Sequence, residues 1–136
     1  MNRYSKAARS PHCVYVKMTL EPSMMYFTPI VMHFLYDSEA KCVKFSMDGL
    51  ACHETVITDY QEKVDIDGMF ACNPDVPIAI LDGTTYTFFV KSGNKRRHID
   101  IENWNEIILY YQPYQWVIKL FKKYSDEGKL DSDDSE

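Results

Sequence analysis

Hydrophobic and polar residues alternate with a period of two along most of the chain, the signature of strands that bury one face. In CVYVKMTL, Val14, Val16, Met18 and Leu20 fall on one side and Tyr15, Lys17 and Thr19 on the other. IVMHFLY and CVKFSM repeat the pattern on either side of DSEAK, which predicts a hairpin. Further strands are expected around Thr55 to Thr58 and Val64 to Ile66. PIAIL meets TTYTFFVK across Asp82-Gly83, a strong hairpin signal, and SGNKRR turns the chain back into HIDI. Short β-branched or aromatic strands with frequent turns predict an all-β domain, an antiparallel β-sandwich with one or two short helices.

One segment breaks the period. Asn103 and Glu106 have the spacing of a capping box, and Trp104, Ile107, Ile108 and Tyr111 follow at i, i+3, i+4, i+7. A short helix from Trp104 to Tyr111 is therefore expected, stopped by Pro113. QWVIKLFKKY fits either period: Trp116, Ile118 and Leu120 share a strand face, and Val117, Leu120, Phe121 and Tyr124 share a helical stripe. The β-branched centre and the preceding proline favour strand.

A chain of 136 residues, 46% hydrophobic, is sized for one domain with its own core. The net charge of −5 resides in residues 125–136, where six acids face Lys129. That leaves residues 1–124 neutral overall, without a basic field for nucleic acid. The expected organisation is an N-terminal arm (1–11), a β-sandwich domain (12–124) and an acidic disordered tail (125–136). In the tail Ser125, Ser132 and Ser135 are each followed by acids and are candidate phosphosites. No window carries the apolar run of a membrane span, and the N-terminus lacks the apolar core of a secretory signal.

The four cysteines, Cys13, Cys42, Cys52 and Cys72, are widely spaced, as expected of free thiols in a reducing compartment. His12-Cys13 and Cys52-His53 are adjacent pairs; neighbours on a strand point to opposite faces, so neither is expected to hold an ion. No cofactor or metal is expected. A cysteine nucleophile at Cys52, with His98 or His33 as base, lacks any sequence signal that would lower the thiol pKa. Asp65 and Asp67 would share one face of a strand, a geometry open to acid–base work and more often simply solvated.

Lys95, Arg96 and Arg97, followed by His98, form the main basic run and are candidates for contact with an acidic partner surface. Tyr110 and Tyr114 fall off the predicted helical stripe beside Pro113, where an exposed tyrosine would anchor an interface. Sugar binding would instead require an exposed Trp116, in a sandwich of carbohydrate-binding or co-chaperone-like type.

The C-terminal segment carries Asn105-Glu106, Tyr110-Tyr111, Pro113-Tyr114 and then Lys122-Lys123-Tyr124. Together with FLYDSEAKCVKFSM and LDGTTYTFFVKSGNKRRHIDI upstream, this order resembles the small host-range proteins of poxviruses, the vaccinia-type host-range superfamily, across Met32 to Tyr124. After Met47 the chain departs from that family's Arg-Pro-Asp-Trp signature and reads DGLACH. The resemblance implies a β-sandwich without enzymatic activity that acts in the host cytoplasm or nucleus. It also implies binding of interferon-induced antiviral factors with sterile-alpha-motif domains, through loops gathered at one end of the sandwich.

Overall fold

The structure, a computed structural model, describes residues 3–21, 30–47, 54–71, 85–102, 112–121 and 123. Six strands form one antiparallel sheet: β1 (Cys13–Glu21), β2 (Ile30–Asp37), β3 (Cys42–Met47), β4 (Glu54–Ile57), β5 (Thr85–Ser92) and β6 (Lys95–Glu102), in the order β4-β3-β2-β1-β5-β6. The helical pieces are α1 (Arg3–Ala7), α2 (Ile66–Ala71), a 3-10 turn (Gln112–Tyr114) and α3 over residues 115–121.

The register realises the alternation read from the sequence. Val16 sits opposite Phe34 on one side and Val90 on the other, and Phe34 opposite Phe45. Because paired residues share a face, Val14, Val16, Met18, Met32, Phe34, Val43, Phe88 and Val90 make one apolar surface, and all are fully buried. Two hairpins hold this register. At the first, Asp37 Oδ1 accepts the backbone amides of Glu39 and Ala40 at 3.0 and 3.2 Å. At the second, Gly93 opens a two-residue turn between Ser92 and Lys95 with φ +56°, the left-handed conformation that a type II′ turn demands at its first position.

The layer over this core face is helical. Trp116, Val117, Ile118, Leu120 and Phe121 of α3 are all buried, and Trp116 meets Phe34, Tyr36 and Tyr60 at ring-centroid distances of 6.3, 5.9 and 6.5 Å. Among the described residues every strand belongs to the single sheet. The strand expected at QWVIKLF is thus a helix. Pro113 lies in the 3-10 turn just before α3, where its fixed φ and missing N–H suit a helix start, and the Val117, Leu120, Phe121 stripe prevails over β propensity.

A second correction concerns residues 64–66. Instead of a strand, Asp65 caps α2: its Oδ1 accepts the Gly68 amide at 3.0 Å, and Met69 N donates to Asp65 O at 3.1 Å. A Cβ at Gly68 would meet that carboxylate and press on Pro113, so a larger residue there must displace the Asp65 cap.

Residues 3–11, expected as an arm, pack on the outer face of the sheet. Tyr4 and Ala8 join Cys13, Tyr15 and Leu35 in a second, smaller apolar cluster, with Phe89 at its edge. Tyr4 Oη donates to Glu54 at 2.6 Å, Lys91 Nζ to Ser5 Oγ at 3.1 Å, and Gly93 N to Ala8 O at 2.7 Å. The predicted helix 104–111, the strand PIAIL and the tail 125–136 lie outside the described residues.

Trp116→Ala should cost about 3–5 kcal/mol in denaturant unfolding, by loss of transfer energy and an unfilled cavity. Lys119→Ala, on the exposed side of the same helix, should stay within about 0.5 kcal/mol.

Candidate functional site

Strand ends and connections converge at one end of the sheet. There β1 and β3 begin, β2, β4 and β5 end, and the turns 38–41 and 93–94 lie beside residues 8–12 and 58–65. Backbone hydrogen bonds join these segments: Ser38 N to His12 O at 2.9 Å, Tyr60 N to Lys41 O at 2.9 Å, and Gly93 N to Ala8 O at 2.7 Å. Each connects loops far apart in sequence, so the loop end is a single bonded surface. Glu39, Lys41, Asp59, Glu62, Lys63, Asp65 and Asp67 are exposed on it, with Lys95 and Arg96 at the hairpin tip. The surface carries both charge signs.

The basic run splits across the sheet, as alternation requires. Lys95 and Arg97 lie on the core face, where Lys95 Nζ reaches Asp67 at 3.6 Å and stands 5.8 Å from the Phe70 ring centre. Arg97 Nη1 donates to Met69 O at 3.2 Å. Arg96 lies on the outer face and is exposed. Two of the three cations therefore face α2: the Arg97 bond is partly buried and holds the strand, whereas the Lys95–Asp67 pair is solvent-exposed and contributes little to stability. Tyr114, expected at an exposed edge, is fully buried and donates its hydroxyl to Met69 O at 2.6 Å. It supports the site from within. Tyr110, Ser125, Ser132 and Ser135 lie outside the described residues.

Three other candidates are placed by the structure. Trp116, which sugar binding would need at the surface, is 2% exposed and donates Nε1 to Met69 Sδ at 3.5 Å. His33 is buried, with Nδ1 2.7 Å from Tyr15 Oη and its ring stacked on Tyr15 at 5.9 Å. It is therefore engaged with Tyr15 within the sheet. Asp65 and Asp67, read as a strand pair, are the cap and first-turn acid of α2.

His12, Cys13 and Asp37 converge at the start of β1, with one ligand atom from each within 4.8 Å of the others. Strand alternation does not separate His12 from Cys13, because β1 begins at Cys13 and His12 still belongs to the preceding turn. His12 Nε2 is 3.8 Å from Asp37 Oδ1, and its Nδ1 is 3.6 Å from Glu39 Oε1. Burial first, and then the charges of Asp37 and Glu39, push the Cys13 thiol up to about 11. Cys42 sits opposite Asp37 in the register, two strands from Cys13 and so about 10 Å away along the sheet. That spacing is too wide for a disulfide.

No known family model, curated protein or solved structure matches the chain. Among the described residues no helix is long and apolar enough to cross a membrane.

With its thiol pushed up to about 11, Cys13 should alkylate about a hundredfold more slowly near pH 8 than an unperturbed cysteine. Mass-spectrometric timing of iodoacetamide labelling, with half-buried Cys42 as internal comparison, checks this. Burial also raises the phenols of Tyr4 and Tyr60, reinforced by Glu54 and Glu62 respectively. Because folding favours the protonated phenols, that stability is complete below about pH 10 and falls as pH rises beyond it. Tyr60→Phe should flatten the alkaline decline in melting temperature.

Proposed function

We propose that the protein is a non-enzymatic binding module of viral host-range type, which captures an interferon-induced antiviral protein of the host through the loop end of its sheet. The gathering of four connections into one hydrogen-bonded surface carries this reading. Preformed loops bind with less ordering cost than mobile ones, and a mixed-charge surface favours specificity for a protein partner. The arrangement also suits the poxvirus host-range resemblance, whose members recognise sterile-alpha-motif factors by loops at one end. Among the described residues the sandwich expectation holds as one antiparallel sheet under a helical layer. The contacts proposed are Lys95 and Arg96 at the tip, with Arg97 and Tyr114 holding the tip and α2 in place.

The test is direct binding of purified interferon-induced sterile-alpha-motif proteins to the full chain and to the double variant Lys95→Glu, Arg96→Glu. Nanomolar-range binding by the wild type, weakened a hundredfold or more in a variant whose melting temperature is unchanged, is the expected result (about 2.7 kcal/mol). Equal binding by both proteins, or none by the wild type, overturns the proposal.

A further inference from the structure

The geometry points to a binding site for a divalent transition cation of the zinc class, formed by His12, Cys13 and Asp37 where the N-terminal segment enters β1. Imidazole nitrogen, thiolate sulfur and carboxylate oxygen form a donor set suited to zinc and its borderline neighbours; calcium and magnesium favour oxygen ligands. In a tetrahedral zinc site, ligand atoms lie about 3.3–3.7 Å apart. Here His12 Nε2 and Asp37 Oδ1 are 3.8 Å apart, and the three donors fall within 4.8 Å of one another. Closing on an ion requires about 1 Å of side-chain movement, which the His12 ring, 33% exposed, can supply by rotation.

The surroundings provide the supports that such a site needs. With Nε2 turned to the ion, His12 Nδ1 faces Glu39 Oε1 at 3.6 Å, the carboxylate–histidine arrangement that orients a ligating imidazole. The Asp37 carboxylate is fixed by the amides of Glu39 and Ala40. The backbone of the other two ligands is held by Ser38 N on His12 O and by Ser92 Oγ on Cys13 O at 2.6 Å. Binding releases the Cys13 thiol proton to solvent, and the fourth position is open to water. The ion would cross-link the N-terminal segment to the β2–β3 corner.

The full chain, reduced and metal-free, is titrated with Co²⁺ and then with Zn²⁺. One equivalent of Co²⁺ should produce a thiolate-to-cobalt charge-transfer band that Zn²⁺ bleaches, and excess Zn²⁺ should raise the melting temperature. The band should be lost in Cys13→Ser, persist in Cys42→Ser, and require about tenfold or more Co²⁺ in His12→Gln and Glu39→Gln. His12→Gln alters a half-exposed turn residue, so it keeps the test valid if Cys13→Ser folds poorly. Absence of the band in the wild type, its persistence in folded Cys13→Ser, or an unchanged titration in His12→Gln overturns the site.

Discussion

Much of the helical layer hangs on one residue, Met69. It lies near the end of α2, where backbone carbonyls have no partner within the helix and must find one elsewhere. The Met69 carbonyl receives two donors, Tyr114 Oη from the turn before α3 and Arg97 Nη1 from β6. Its sulfur receives a third, Trp116 Nε1 from α3 itself. Residues 69, 97, 114 and 116 thereby meet in one cluster, buried except for the partly exposed Arg97, that joins the sheet to both helices covering it. Each donor would otherwise be costly to bury: an unsatisfied indole N–H or phenol costs about 1–3 kcal/mol. The cluster therefore specifies where α2 and α3 sit as well as stabilising them.

Outward from that cluster, the constraint reaches the surface. Arg97, anchored on Met69, is two residues from Lys95, which pairs with Asp67 in the first turn of α2. The start of β6 is thus held from within by the Arg97 bond, and Arg96 projects on the opposite face. A backbone so constrained costs less to order than a mobile loop.

The strands and hairpins were legible because their signal is local: alternation along β1, β2, β3 and β5, and turn chemistry at residues 38–41 and 93–94. The helices failed for reasons that are equally physical. In α3 five of the six residues from Trp116 to Phe121 are apolar and buried, so both periodicities found a stripe and neither was diagnostic. In α2 the interior Gly68 lowered helix propensity; the compensation is a close approach of Asp65 and Pro113 that no local pattern reveals. Tyr114 was read by its position beside a proline and Trp116 by the strand period, but their polar atoms are matched by Met69, 45 and 47 residues away. The neighbours of His12 escaped notice because alternation was applied one residue before the strand begins. Asp37 reaches it only through the β1–β2 register.

The N-terminal segment unites these levels. Its apolar residues Tyr4 and Ala8 close the outer cluster, and its backbone at Ala8 and His12 receives amides from the two hairpin turns. Without it, the outer face of β1 would lose Tyr4 from Tyr15, whose rings meet edge-on at 6.2 Å. The turns at Ser38 and Gly93 would then return their amides to solvent. Burial on one side and loop organisation on the other are two consequences of the same docking. A change that loosens residues 3–12 should therefore act on the loop surface and on stability together, whereas a change at the exposed tip leaves stability nearly untouched.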